Sequence, residues 1–388
     1  MKRIIINGAN GYVASHFIYK LLALNYEVIA LVRGTGKFSA RERMLQALSS
    51  IHGGSYILPD NLKIYNYSLL EENFKLTRQE LDEIFESNGD YFHFAASLKY
   101  DFKSKDEIFQ TNTEGIKNSL KIYQSQAQKG SRFFFISTAY SCGNFPGLFE
   151  EKFYDNAPIE EFRNYYEQSK RFAENIIRQE LKHHPFDGHI LRLSQVVGDN
   201  HTGITLTDYG IFDFSKRIYN IAHRDPDQTI RIQVDPESTQ NLIPIDTVTS
   251  YLEQTVMTPE LPAIINLVAK KSLKNIHIIE SLCRLLPVKI VPVKRLEKAE
   301  MTVFERIISI GMSFTVNYVS TNIHFDTINM DKYICNIDNE VNPESAFRML
   351  SYFIENLTDK KRRTNKKQQQ PSSGNTANAR VQFVRAKN

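Results

Sequence analysis

Cysteine is scarce in this chain. Its three residues, Cys142, Cys283 and Cys335, are odd in number, widely spaced and form no C-x-x-C pair. That pattern excludes a disulfide framework and a cysteine-based metal site, and it fits reduced thiols in the cytoplasm. No run of eighteen apolar residues occurs, so no membrane span is expected. Met1-Lys2-Arg3 gives way at once to strand-like Ile4-Ile5-Ile6, which argues against a cleaved signal peptide and for a cytoplasmic protein. There is no internal repeat. The body has no basic stripe with interleaved aromatics, so no nucleic-acid partner is expected. No metal site is expected either, because His183-His184 reads as a helix end whose imidazoles meet the dipole.

What is present is enough for a large core. The chain has 388 residues, 41% hydrophobic and 11% aromatic, which suits one α/β domain with a smaller companion. The net charge of +4 hides an uneven distribution. Residues 359–388 hold nine Lys/Arg against one Asp, a net of +8, which leaves the first 358 residues at −4. This polar, low-complexity tail is expected to be disordered, a solvated terminus with no assigned role.

Strands and helices alternate through the first two hundred residues, as a parallel sheet requires. Apolar, β-branched runs mark strands at 4–6, 27–32, 62–66, 91–95, 132–136 and 188–193. Helical spacing occupies 14–24, 78–86, 108–128 and 166–183. Beyond residue 200 come short strands at 230–234, 241–245 and 264–268. Helices at 246–257 and 276–286 follow the second and third of these, the first expected to pack back on the sheet. Residues 296–357 read as mostly helical, with 307–319 apolar enough for a core helix. The fold class expected is α/β, a Rossmann-type doubly wound parallel sheet with a smaller, mostly helical C-terminal substrate lobe. Its division is 1–200 for the cofactor-binding domain, 201–358 for the substrate lobe with 235–268 returning to the sheet, and 359–388 for the tail.

Two sequence features carry chemistry. Asn7-Gly8-Ala9-Asn10-Gly11-Tyr12-Val13-Ala14 turns the first strand into a helix through glycines, so backbone N–H groups at the helix start can meet a pyrophosphate. Farther along, Ser137-Thr138 ends the fifth strand, and Tyr166 and Lys170 stand four apart on one helix face. The ammonium is expected to lower the phenol's pKa by proximity. Phenol and Thr138 hydroxyl together make an electrophilic site with a proton donor, able to stabilise charge on a carbonyl oxygen as hydride arrives.

In that order along the chain, these motifs resemble the extended short-chain dehydrogenase/reductase superfamily over about the first 270 residues. Phe92-His93-Phe94-Ala95-Ala96, Asn112-Thr113-Glu114-Gly115, Leu191-Arg192-Leu193 and Asn241–Asp246 belong to the same pattern. Ser137-Thr138-Ala139-Tyr140, Tyr166-Glu167-Gln168-Ser169-Lys170, Val196-Val197-Gly198 through Gly203, and Leu31-Val32-Arg33 with Arg43 resemble one branch of it. That branch is the thioester reductase and fatty acyl-CoA reductase-like, male-sterility type. The resemblance implies Thr138, Tyr166 and Lys170 as catalytic residues. It implies a cofactor held by Gly8, Asn10, Gly11, Tyr12, Val13, Ala95, Ala96, Tyr166, Lys170, Val196 and Val197. Two departures stand out: Ala14 replaces a third glycine, and Tyr67-Ser68 replaces the Gly-Asp expected after the third strand.

Cofactor choice follows from charge. No Asp or Glu lies between Glu27 and Glu42, and Arg33 takes the position where an acid would accept a ribose hydroxyl. A guanidinium suits a 2′-phosphate, so NADPH is expected rather than NADH, with Arg43 as a second clamp. The expected reaction is reduction of an acyl thioester, on coenzyme A or on an acyl or peptidyl carrier protein acting in trans, to an aldehyde or alcohol. The alternatives are a nucleotide-sugar epimerase, for which Lys216, Arg217 and Arg231 could meet a diphosphate, a ketone reductase, and a non-catalytic cofactor-binding protein. The helices at 108–128 and 166–183 allow a homodimer. Cys142 reads as a packing residue, and 145–149 as part of a substrate loop.

Overall fold

The structure is a computed structural model and describes residues 2–311, 322–337 and 340–369. Seven parallel strands form one sheet: β1 (Arg3–Asn7), β2 (Glu27–Val32), β3 (Leu62–Asn66), β4 (Gly89–His93), β5 (Arg132–Thr138), β6 (Asp187–Leu193) and, far along the chain, a strand at Ile264–Leu267. Their order across the sheet is Ile264–Leu267, β6, β5, β4, β1, β2, β3. The order reverses between β1 and β4, and that switch point leaves a crevice at the carboxyl ends of the strands.

The strands inside the sheet are buried on both faces, the edge strand β3 only in part, and their side chains alternate between two cores. On one side Ile4, Ile6, Val28, Phe92 and Phe134 meet α1 (Tyr12–Ala23) and α2 (Ala40–His52). On the other, Ile5, Ile29, Tyr91, Phe133 and Phe135 meet α3 (Arg78–Ile84), a helical stretch over 105–126, and α6 (Tyr165–His183). That stretch is α4 (Lys105–Phe109) and α5 (Gly115–Gln126), joined by a π-helical turn at Gln110–Glu114. The turn aims Asn112 at the loop after β4: its Oδ1 accepts from Ser97 N at 2.7 Å and its Nδ2 donates to Ser169 Oγ at 2.8 Å.

Past residue 194 lie β7 (Gln195–Val197), α7 (Ile211–Arg224), β8 (Gln228–Gln233), β9 (Leu242–Pro244) and α8 (Ile245–Met257). The sheet strand Ile264–Leu267, now β10, precedes α9 (Asn275–Leu285), β11 (Val288–Val293), α10 (Val303–Gly311), α11 (Ile328–Tyr333) and α12 (Pro343–Gln369). Helix α8 does pack back on the sheet, its Val248, Tyr251, Leu252 and Val256 sharing the core of α1. A separate core gathers α7, α9 and α12 around the parallel pair β8–β11.

Two sequence expectations need correction. The helix expected at 108–128 starts earlier and is interrupted, because the π turn inserts a residue. The tail expected to be disordered from 359 is helical to Gln369; its Lys, Arg and Gln are good helix formers, and a helix nucleated on the packed part extends through them. Residues 370–388 lie outside the described residues, as does most of the apolar 307–319 segment, of which α10 contributes Ile308 to the second core. Helix α2 was not read from its polar sequence, although its ends are marked. Ser39 and Glu42 form a reciprocal cap, and Gly53 closes the helix in a left-handed conformation.

Phe134, fully buried, stacks on Phe92 at 4.5 Å between centroids at the centre of the sheet. Phe134→Ala should therefore destabilise the protein by about 3–5 kcal/mol, measured as a fall in the urea midpoint with an unchanged slope.

Candidate active site

The glycine turn between β1 and α1 is forced by a close approach of backbones. Gly8 has φ +63°, and a Cβ there would lie 2.8 Å from Ala95 N. Any larger residue would push the turn away from the loop after β4. Asn7 fastens the same junction, its Oδ1 accepting from Phe94 N at 2.9 Å and from Ala95 N at 3.0 Å. Gly11 then caps α1 without a side-chain hydrogen bond, and no acid occupies the first turn. The N–H groups of Tyr12, Val13 and Ala14 have no intrahelical acceptor, as at any helix start, and the dipole there favours an anion. This end of α1 fits a dinucleotide pyrophosphate.

The crevice over this turn is one cavity of about 550 Å³. Gly8, Asn10, Gly11, Tyr12, Val13, Arg33, Arg43, Ala95, Ala96, Thr138, Tyr166, Lys170 and Val196 all line it. Of the residues predicted for the site, Val197 alone is placed elsewhere. Successive residues of β7 face opposite ways, so Val196 borders the cavity while Val197 is buried in the second core. Val197 still touches the site through its carbonyl, which accepts from the Tyr12 hydroxyl at 2.8 Å.

At the far end stand two guanidinium groups. Arg33 is exposed at the end of β2, and Arg43 on α2 donates to the Arg33 carbonyl, which draws both to one corner. The neighbouring Gly34 N–H donates to Asn66 Oδ1 at 2.9 Å. Tyr67, where Gly-Asp was expected, fills the floor between this corner and the glycine turn. Its ring packs edge-on against Phe74 and its hydroxyl accepts from Gly8 N at 3.1 Å. The hydroxyl proton remains available to a ligand oxygen, so the substitution replaces a carboxylate with a neutral donor. Burial pushes the phenol up to about 12, which keeps that proton in place at neutral pH.

The reactive groups sit where β5 meets α6. Thr138 is the last residue of β5; its Oγ1 donates to Leu193 O at 3.3 Å and accepts from Tyr140 N at 3.2 Å. Asn164 caps α6, accepting from Glu167 N, and so places Tyr166 and Lys170 in the first two turns, facing β5. Lys170 Nζ donates to Ile136 O at 2.9 Å and lies 4.7 Å from the centre of the Phe135 ring. Burial draws its ammonium down to about 7, against the opposing pull of Glu174. The expected lowering of the Tyr166 phenol is not found. Desolvation, reinforced by Glu167, pushes that phenol up, and the amine expected to assist it is bonded to the Ile136 carbonyl. Tyr166 is therefore a protonated donor.

The substrate half of the cavity, beyond Tyr166, is formed by Tyr140, the end of the Ser137-Thr138-Ala139-Tyr140 motif, and by residues that the motifs did not mark: Tyr100, Gln195, Thr207, Tyr209 and Gln240. None carries a charge, and no spacing pattern singles out the unmarked five. The segment 145–149 does not border this cavity. Phe149 is fully buried, stacked on Tyr154 at 4.6 Å, and closes the core instead. Cys142 is a packing residue, as expected: burial pushes its thiol up to about 12. His93 is likewise core, drawn down to about 3 by burial and bonded to Asn7 and Ser119. Among the described residues no group of His, Cys, Asp or Glu could hold a metal ion, and no helix is long and apolar enough to cross a membrane.

A parallel sheet with a glycine turn at its switch point and a Thr/Tyr/Lys set at its carboxyl edge defines a nicotinamide-dependent enzyme of the short-chain dehydrogenase/reductase type. The family model described as "Male sterility protein", an NAD-binding family, matches residues 6–252. The chain belongs to that family. Its structure is similar to the terminal R domain of the myxalamid PKS-NRPS pathway, with a TM-score of 0.74 at 16% identity over 92% of both chains. It is also similar to a UDP-N-acetylglucosamine 4-epimerase from Methanobrevibacter ruminantium, with a TM-score of 0.64 at 16% identity over 92% of this chain and 99% of that one. Peramine synthetase A of Epichloe festucae is 25% identical over 179 residues, 45% of this chain. The curated relatives are much longer, the matches taking in 12% and 6% of their length.

Tyr67→Phe should weaken dinucleotide affinity by roughly 2- to 10-fold, the worth of one neutral hydrogen bond of about 0.5–1.5 kcal/mol. Titration calorimetry of the purified variant against wild type measures this.

Proposed function

We propose that this protein reduces an acyl thioester, carried by coenzyme A or a carrier-protein phosphopantetheine, with NADPH as the reductant. The observation that carries the reading is the charge profile of the cavity. Its cationic side chains are Arg33 and Arg43 at one end and Lys170 in the middle, and the substrate half is neutral. Two guanidinium groups in a cavity that no acid lines suit a 2′-phosphate, which favours NADPH over NADH.

The neutral half also separates this reading from a sugar-nucleotide epimerase, which needs cations for a diphosphate. The three candidates are engaged elsewhere: Lys216 with Asp208 at 3.5 Å, Arg217 with Asp213 at 3.0 Å and Arg231 with Glu305 at 2.9 Å. None of them lines the cavity, and Arg217 reaches its wall only through the Tyr100 hydroxyl. The likeness to a reductase domain of a PKS-NRPS pathway and to part of a peptide synthetase agrees with a substrate held as a thioester.

When bound, the nicotinamide supplies the hydride. The chain's own residues do the rest. Lys170, one turn from Tyr166, would hold the cofactor's ribose. The Thr138 hydroxyl gives up its long bond to Leu193 O and turns to the thioester oxygen. Tyr166, kept protonated by burial, donates to that oxygen as negative charge develops on it. The resulting thiohemiacetal releases its thiol and leaves an aldehyde, which the same groups can activate for a second reduction to the alcohol.

Wild type should release titratable thiol from a panel of acyl-CoAs, with one NADPH consumed per thiol where the aldehyde is the product and two where it is the alcohol, and should not interconvert UDP-sugars with NAD⁺. Tyr166→Phe should lower kcat by about 100-fold or more, as expected for loss of a general acid. Unchanged biological activity of a Tyr166→Phe variant that no longer turns over would instead support a cofactor-binding role without catalysis.

The pH profile follows from Lys170. Its folded pKa of about 7 lies below the ordinary lysine value, so the folded chain binds fewer protons than the unfolded one from about pH 7 to 10.5. The stability lost to burying this charge is greatest below pH 7 and is recovered as pH rises through that window. If the charged amine assists the chemistry, kcat/KM should fall above about pH 7, and Lys170→Met should abolish that limb along with most of the rate.

A further inference from the structure

Helix α6 carries Tyr166, Lys170 and Glu174 four residues apart, so the three form one stripe down a single face. The first two belong to the site described above. Glu174 does not line the cavity and has no part in the chemistry derived from it. It is 1% exposed, and its partner Arg192 on β6 is wholly buried. The two meet as a fork on a fork, Nε to Oε1 at 3.0 Å and Nη2 to Oε2 at 2.7 Å. Oε1 also accepts from Ser137 Oγ at 2.6 Å and from Ser141 Oγ at 3.2 Å.

Those two serines flank Thr138. Ser137 precedes it in β5, and Ser141 lies in the 3-10 turn at Ala139–Cys142 that follows it. Lys170 Nζ bonds the carbonyl of Ile136, one residue earlier still. Three consecutive contacts of one helix face therefore fix the exit of β5. Arg192 spreads the same clamp outward, donating to Glu150 O at 3.1 Å and Lys152 O at 3.0 Å, with the Phe149 ring 4.5 Å away. A hydrophobic pair would pack this interior as well or better, so the ion pair calls for a reason other than stability.

We propose that Glu174, held by Arg192, is a positioning residue of the active site: it clamps both flanks of Thr138 to α6 and fixes a negative charge one turn from the Lys170 amine. The proposal rests on the reading of Thr138, Tyr166 and Lys170 as the reacting set. The groups facing Lys170 are few. Its own helix offers Tyr166 and Glu174. From β4 comes His93, neutral because burial draws it down, and from β5 the Phe135 ring and the Ile136 carbonyl. Arg192 on β6 is bonded to Glu174 and is not among the charges acting on Lys170. Glu174 is the one anion acting on Lys170 that offsets desolvation of the ammonium.

The test follows the Lys170 amine directly, by ε-¹³C NMR of lysine-labelled protein titrated with acid and base, with Lys170→Met to assign the signal. Glu174→Gln alone leaves Arg192 buried and unpaired and can unfold the chain. The pair Glu174→Gln/Arg192→Gln is therefore measured beside it, together with Ser137→Ala, which removes one clamp bond and keeps both charges. In the folded double variant the Lys170 midpoint should fall by about one unit or more, and the alkaline limb of kcat/KM should move with it. Ser137→Ala should leave the midpoint in place and lower kcat several-fold with KM unchanged. An unmoved midpoint in the double variant, or full kcat in Ser137→Ala, would overturn the proposal. A shifted midpoint in a protein whose Tyr166→Phe variant keeps full turnover would support the clamp while removing the catalytic reading.

Discussion

The burial of one amine against the exit of one strand organises this site. Lys170 is taken out of water to reach the Ile136 carbonyl, and a desolvated ammonium is tolerated only where the surroundings answer it. The answer here is local and polar: a carbonyl of β5, an aromatic face beneath, and the Glu174 carboxylate one turn along α6. Because these partners belong to the strand end that carries Thr138, holding the amine also holds the hydroxyl. Tyr166 rides on the same helix turn. A small shift of α6 along β5 would therefore disturb all three groups together.

The second constraint lies across the switch point, where Gly8 and Ala95 approach too closely for a side chain to intervene. That contact opens the start of α1 to an anion and aligns the loop after β4 with the same cavity. The two constraints give the cavity its polarity. Helix start and guanidinium groups gather at one end, proton-donating groups stand in the middle, and a neutral wall of tyrosines and amides closes the other end. A ligand that is anionic at one end and uncharged at its reacting end matches this sequence of environments. On the proposed function, that order of environments is what favours a thioester over a sugar diphosphate, because both kinds of protein share the sheet.

Much of this was legible in the amino-acid order. Buried parallel strands read as continuous apolar runs, so Glu27–Val32 and Arg132–Ile136 could be located closely, and the glycine turn and Tyr166–Lys170 stood at fixed places relative to them. What escaped the sequence depended on neighbours in space. Alternation within a three-residue strand turned Val197 away from the cavity. Tyr67 reads as an ordinary strand-end aromatic until its hydroxyl is seen at Gly8. The π turn that aims Asn112 has no periodic signature, and the neutral substrate wall, Tyr140 apart, comes from stretches around residues 100, 195, 209 and 240. The electrostatic expectation for Tyr166 failed for a related reason: spacing gives proximity to an ammonium, but burial decided the direction of the shift.

The central claim is that hydride passes to an acyl carbon held between Thr138 and Tyr166. Mass spectrometry of product formed with NADPH deuterated at the transferable C4 position addresses it most directly. The account predicts one deuterium on the former carbonyl carbon of the aldehyde for each thiol released, and formation of that product slower by about 100-fold or more when Tyr166 is replaced by Phe. Cofactor bound in the absence of any deuterated acyl product, across substrates from short to long chains, would contradict it.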